Sequence, residues 1–326
     1  MEFPYIRSDA KEAPEKPLNI PVPDLGKLES PEDYLTDGPL IDAVNVALLL
    51  GRPLLLTGEA GTGKTQLAHR LAWQLGFGKA IEFNTKSTSN ARDLFYTFDA
   101  LRRFHAAHTG EGSSDNLDYI TYNALGIAIL QSCEKQAVAQ AMPKDFSHTG
   151  PRRSVVLIDE VDKAPRDFPN DLLHEIENMS FRIPELRNME VKASREMRPV
   201  VVLTSNSEKN LPDAFLRRCV FYNIPFPLKP RLVEIVEARL GAFADGSSKL
   251  LDSALEFFLQ VRTQLTHKPP STAELINWLQ ALRANGVRGE TIESNPKALR
   301  ATVSVLAKTR PDAEELERLV KAKLKD

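Results

Sequence analysis

Residues 58–65 read GEAGTGKT, between the apolar run PLLLT at 53–57 and the helix-like stretch QLAHRLAWQLG at 66–76. Such a run is either a glycine-rich turn joining a strand to a helix or a cradle for a triphosphate. Triphosphate oxygens need several donors converging within hydrogen-bond reach, and bulky side chains obstruct that approach. Gly58, Gly61 and Gly63 remove the obstruction, so successive N–H groups can point inward as an anion nest, backed by the positive end of a helix starting near Lys64. Lys64 is then placed to reach β and γ phosphates, and Thr65 to offer a hydroxyl to Mg²⁺. Glu59, Ala60, Thr62 and Gln66 complete the stretch that would surround the phosphates. The pattern G-x-x-x-x-G-K-[ST], with a predicted strand before it and a predicted helix after it, favours the ATP cradle.

A phosphate cradle alone hydrolyses nothing; acids at the end of a neighbouring strand are needed. VVLIDE at 155–160 supplies them. Asp159 would join the Mg²⁺ shell through water, and Glu160 would polarise the water that attacks phosphorus. Alone, the two acids could equally solvate a strand end or cap a helix. Asn206 closes the run RPVVVLTSN, where its amide could orient the same water, or simply form a turn. Arg217 and Arg218 precede another predicted strand and could stabilise charge on a phosphoryl group, although an arginine pair on a helix is commonly a solvated face.

The chain of 326 residues has room for one large or two medium domains. Its net charge of −2 gives no general attraction to nucleic acid or anionic lipid, and the pairs Arg102-Arg103, Arg152-Arg153 and Arg217-Arg218 form no basic stripe. A nucleic-acid partner is disfavoured. Cys133 and Cys219 lack metal or disulfide spacing, which suggests a reducing compartment. His105 and His108 share a helical face without a third ligand nearby in sequence. The aromatics Phe95, Tyr96, Phe98 and Phe104 read as core or subunit contact before base stacking. With no apolar leader and no run long enough to span a bilayer, the expected location is the cytoplasm, with no membrane partner.

Residues 1–30, rich in proline and mixed charge, predict an extended arm. From Tyr34 the pattern predicts a helix through PLIDAVNVALLLG, a strand, the glycine loop, a helix to about Leu75 and a strand at KAIEFNT, a βαβ unit with parallel strands. RDLFYTFDALRRFHAAH (92–108) and YNALGIAILQSCEKQAVAQAM (122–142) both predict helices, in an unusually long connection over about 87–150. After VVLIDE come a helix through FPNDLLHEIENM, a hairpin over about Ser180–Met197, the strand RPVVVLTSN, a short helix at LPDAFLRRC and a last strand at VFYNIPF. Beyond Phe226 every predicted element is helical, with a capping box from Ser271 and Glu274 and first-turn prolines at Pro296 and Pro311.

The order GEAGTGKT, VVLIDE, VVVLTSN, LPDAFLRR and then a helical segment resembles the AAA+ ATPases. GRPLLLTGEAGTGKTQLA, LIDEVDKAPRDFPNDLLHEIE and LTSNSEKNLPDAFLRRC resemble the MoxR-like branch and its dynein-related relatives, over roughly residues 30–285. The resemblance implies an α/β fold: a parallel P-loop sheet flanked by helices over 31–226, with an insertion at about 87–150, then a smaller all-helical lid over 227–326. It also implies a ring of copies, usually six, with ATP at each boundary and an arginine given by the neighbour. Lys64, Thr65, Asp159, Glu160 and Asn206 match the Walker A, Walker B and sensor-1 positions. Arg218 matches the finger, with Arg217 as alternate. Asn84 falls where a residue restraining the catalytic glutamate is often found, and Tyr34 and Leu35 near the adenine contacts. Ala273 stands where a basic sensor-2 residue is usual, leaving Lys268 as a substitute. The implied partner is a protein client, often one with a von Willebrand factor A domain. The rival readings are an assembly platform with little turnover and a nucleic-acid motor.

Overall fold

In the computed structural model, residues 30–110, 112–207, 211–241, 248–287 and 291–324 are described, so the arm expected over 1–30 lies almost wholly outside them. The run at 53–57 forms strand β1 (Leu54–Thr57), every residue of which is buried. Helix α1 (Gly38–Leu50) leads into it. The α1 start is fixed by Asp37, whose carboxylate accepts the Leu40 N–H at 2.8 Å, and its end by Gly51 at φ 60°. Helix α2 (Lys64–Gln74) follows the glycine loop, then strand β2 (Ile81–Asn84).

A five-stranded parallel sheet holds β1 and β2 together with β5 (Val155–Asp159), β8 (Val200–Thr204) and β9 (Val220–Asn223), in the order β2-β5-β8-β1-β9. The strands of the predicted βαβ unit are therefore in one sheet, with β5 and β8 between them. Leu157 pairs with Val202 and Leu54 with Val202, so β5, β8 and β1 run side by side and finish at the same edge. The near-continuous apolar runs of these strands suit a sheet covered on both faces.

The insertion departs from the helical expectation. Over 92–108 only α3 (Ala100–Thr109) is α-helical; it follows a 3₁₀ turn at Ala91–Leu94 and strand β3 (Tyr96–Phe98). β3 pairs antiparallel with β4 (Ile120–Tyr122), Tyr96 opposite Tyr122. The run Phe95-Tyr96-Thr97-Phe98 is a strand former by composition, and Asp99 starts α3 by accepting the Arg102 N–H at 2.8 Å. Over 122–142 the helix is also shorter: α4 covers Ala124–Ser132 and only a 3₁₀ turn at Ala139–Ala141 follows. At its end the Ser132 hydroxyl donates to the Ile129 carbonyl at 2.7 Å, and the Cys133 thiol to the Lys192 carbonyl at 3.1 Å, competing with continuation of the helix. The helix expected over 168–179 runs as α5 (Phe168–Asp171) and α6 (Leu173–Asn178), with Leu172 between them at φ −82°, ψ −16°. β6 (Ser180–Ile183) and β7 (Met189–Lys192) form the predicted hairpin, and α7 (Asp213–Leu216) the short helix before β9.

Phe95 and Tyr96 are core residues, with the Phe95 ring stacked on Phe181 at 5.0 Å between centroids, while Phe104 on α3 is exposed. Gly126 in α4 lies against the Phe95 backbone: a Cβ there would fall 2.0 Å from the Phe95 carbonyl oxygen. That oxygen already accepts the Asn123 N–H at 2.9 Å, a bond that its displacement would weaken. Gly126→Ala is expected to destabilise the protein by about 3 kcal/mol through overpacking. An unchanged urea midpoint would contradict this packing.

Contacts divide the described residues into two units, 36–59 with 63–225, and 226–324 with 60–62 and 30–35. Beyond Phe226 the regular elements of the second unit, among the described residues, are helices: α8 (Lys229–Leu240), α9 (Ser248–Gln264), α10 (Thr272–Ala284), α11 (Pro296–Thr302) and α12 (Arg310–Leu324). Its core holds Phe257, Phe258 and Trp278, the indole N–H of which reaches the Thr302 hydroxyl at 3.1 Å. At the start of α10 the Glu274 carboxylate accepts the Ser271 N–H at 2.9 Å. Pro296 is the first residue of α11 and Pro311 the second of α12. Ala273 is exposed in the first turn of α10, and the Lys268 N–H donates to Asp312 at 3.0 Å.

Candidate nucleotide-binding site

The shared register of β1, β8 and β5 gathers three separated sequence motifs at one edge of the sheet. There, beyond the strands' carboxyl ends and where the chain order reverses, open α/β sheets place their ligand crevice. β1 delivers the glycine loop, β5 delivers Asp159 and Glu160, and β8 delivers Asn206.

Gly58, Gly61 and Gly63 have φ values of 138°, 74° and 90°, in the positive-φ region that glycine enters without penalty. Gly63 is the N-cap of α2 and provides no side-chain cap, so no side-chain oxygen of the cap residue covers the first N–H groups of this helix. Lys64 is buried beside them. Its ammonium donates to the carbonyls of Gly58 and Glu59, both at 2.9 Å, and to the Asn206 amide oxygen at 3.0 Å. Burial pulls its pKa below the usual lysine value, against the opposing attraction of Asp159, Asp162, Glu160 and Glu59. Lys64 thus ties the loop to the end of β8. Gln66 lies in the first turn of α2, half-buried.

Asp159 faces Thr65, whose hydroxyl lies 3.2 Å from both carboxylate oxygens. Thr204, at the end of β8, donates its hydroxyl to Asp159 and accepts the Glu160 N–H at 2.9 Å. This threonine was not singled out from sequence; the register Ile158↔Leu203 is what sets it beside Asp159. Glu160 adopts φ 55°, ψ 50°, a left-handed conformation that costs a non-glycine residue about 1–3 kcal/mol. Its N–H is held by Thr204 and its carbonyl by the Lys163 N–H at 2.9 Å, and its carboxylate pairs with the Lys163 ammonium. Strain of this kind, fixed by neighbours, is typical of functional positions. Asn84 lies beside Asp159 in the β2–β5 register, but the Glu160 carboxylate turns to Lys163. The Asn206 N–H lies 3.3 Å from Asp162, a second residue that the sequence did not mark.

Two observations test whether a Mg²⁺–triphosphate fits these residues. The loop presents N–H groups and a buried ammonium, a donor set for oxyanions. Among the described residues, no group of three or more His, Cys, Asp or Glu could hold a metal alone. Thr65 and Asp159 form the sparse oxygen set that suits Mg²⁺, an ion that keeps waters and takes substrate phosphates as ligands. The residues fit.

Arg217 and Arg218 are not at this edge. They sit between α7 and the first residue of β9, and Val220 pairs with Leu54 at the start of β1, so they occupy the opposite edge of the sheet. Four strand residues at about 3.3 Å each separate the two edges by roughly 13 Å. Arg218 Nε lies 3.4 Å from the Glu177 carboxylate, and Nη1 donates to the Ala214 carbonyl at 3.0 Å. The Arg217 side chain is exposed.

The profile of the AAA domain, dynein-related subfamily, matches residues 53–219, just over half the chain and spanning every motif above. The chain belongs to this family of AAA+ proteins. No curated protein sequence matches it. Among solved structures it is similar to NtrX from Brucella abortus, crystallised with ADP, at TM-score 0.51 and 16% identity over 93% of this chain and 63% of that one. It is also similar to the RuvB Holliday junction branch migration motor of Thermotoga maritima, at TM-score 0.44 and 16% identity over 82% of this chain and 67% of that one. The NtrX likeness is one of fold, a parallel α/β domain followed by helices, and this chain spans less than two thirds of the NtrX chain. Among the described residues no helix is long and apolar enough to cross a membrane.

Proposed function

We propose that the protein is a Mg²⁺-dependent ATPase of the MoxR-like kind, working as a ring of copies that remodels or activates a protein partner. The observation that carries the nucleotide chemistry is the convergence of Lys64, Thr65, Asp159, Glu160 and Asn206 at one sheet edge. Gly58 through Gln66 hold the triphosphate by backbone N–H groups and the Lys64 ammonium. Mg²⁺, held by Thr65 and through water by Asp159, would neutralise charge on the phosphoryl oxygens. Glu160 takes a proton from the attacking water, and Asn206 orients that water.

The separation of Arg217 and Arg218 from this edge supports a finger that serves another copy. A ring satisfies that requirement at every boundary, and six is the usual count for relatives of this kind. For the client, a protein with a von Willebrand factor A domain is the reading the MoxR resemblance favours, by analogy alone. The free thiols Cys133 and Cys219 suit action in the cytoplasm.

Glu160→Gln is expected to bind ATP as the unaltered protein does while losing turnover by about 10²–10⁴-fold, because an amide keeps the shape but accepts a proton poorly. Comparing nucleotide affinity by calorimetry with phosphate release checks both halves. Retained turnover would move the base elsewhere. In ATP the same variant should also retain its client longest, so that pull-down identifies the partner.

A further inference from the structure

A cavity of about 230 Å³ lies at the amino-terminal edge of the sheet, lined by the α1–β1 turn, the end of α6 and the α7–β9 turn. Arg52, Arg198 and Arg218 line it together with one carboxylate, Glu177. The three guanidinium groups are held differently. Arg198 Nη2 donates to the carbonyls of Ile176 and Glu177 at 3.1 and 2.9 Å, closing the carboxyl end of α6, which accounts for its charge. Arg218 is shared between Glu177 and the Ala214 carbonyl. Arg52 makes one long bond, from Nη1 to the Arg217 carbonyl at 3.4 Å, and is exposed.

That bond goes to the carbonyl of the residue before Arg218, so Arg52 reaches the same α7–β9 turn and lines the same cavity as the arginine assigned as the finger. The side chains of Arg218 and Glu177 are 46% and 64% exposed, and an ion pair so open to water is readily exchanged for a better oxyanion. Phosphate is such a group, because two of its oxygens match the fork of an arginine.

We propose that Arg52 and Arg218 together form a docking site for a phosphoryl group presented by the nucleotide of a second copy, with Glu177 holding Arg218 until that group arrives. The proposal rests on the reading of Arg218 as a finger acting on another copy, and adds Arg52 as a second cation and Glu177 as its competitor.

The test measures turnover against protein concentration at saturating Mg²⁺-ATP, sedimentation in ATP and in ADP, and melting temperature. Arg52→Ala is expected to lower turnover on the order of 10²-fold, as loss of one charge-stabilising donor does, and to remove the extra assembly expected of the unaltered protein in ATP, with melting unchanged. Arg52→Lys should recover part of both. Glu177→Gln should reach half-maximal turnover at a protein concentration roughly 2–5-fold lower, the scale of an exposed ion pair. Arg52→Ala with full turnover and assembly overturns the proposal, as does a loss that tracks a lowered melting temperature and appears equally in ADP. A higher concentration requirement in Glu177→Gln overturns the competitor role. Inorganic phosphate driving assembly of Lys64→Ala protein would identify free phosphate as the ligand and overturn the second-copy source. If Arg218→Ala itself keeps full turnover, the finger reading fails; if only Arg218→Ala is impaired, this inference alone fails.

Discussion

Lys64→Ala is expected to weaken ATP binding on the order of 10³-fold or more, to the point that calorimetry at micromolar protein detects none. The side chain is buried, and its three donors go to Gly58, Glu59 and Asn206. Each hydrogen bond to a charged group contributes about 1.5–3 kcal/mol, so two or three lost from the phosphates account for that factor. The substitution also leaves two loop carbonyls and the Asn206 oxygen without their donor, so a melting curve belongs beside the titration. Near-normal affinity would refute the assignment of GEAGTGKT as a phosphate cradle.

Arg218→Ala is expected to bind ATP normally and to lose about 10³-fold or more in turnover, the scale of arginine fingers elsewhere. Binding is spared because Arg218 is at the far edge of the sheet from the chain's own glycine loop. Arg217→Ala separates the neighbours: Arg218 is oriented by Glu177 and the Ala214 carbonyl, so the larger loss should follow its removal. An equal or greater loss in Arg217→Ala would transfer the finger to that residue.

The buried strands were legible because VVLID and VVVLT have no polar residue before their ends, and the glycine loop because its chemistry demands particular residues at fixed spacing. The insertion was not. Phe95–Phe98 lies within a stretch whose apolar spacing also fits a helix, and only pairing with Ile120–Tyr122, more than twenty residues on, makes it a strand. Contacts set by register were equally hidden. Thr204 reads as the last residue of an apolar strand until β5 and β8 are aligned, when its hydroxyl meets Asp159 and the Glu160 N–H. Lys163 and Glu177 look like ordinary surface charges in sequence. Their partners, Glu160 and Arg218, become evident only when the turn after β5 and the end of α6 are placed.

The central claim is that one catalytic centre is assembled from two copies, and mixing two inactive proteins tests it most directly. On this account Lys64→Ala would have a dead pocket but an intact Arg218, and Arg218→Ala an intact pocket but no finger. Combined under conditions where labelled copies are seen to exchange, they should regain ATP hydrolysis wherever a sound pocket meets a sound finger. Hydrolysis that stays at the level of the separate variants, with exchange demonstrated, would contradict the shared centre.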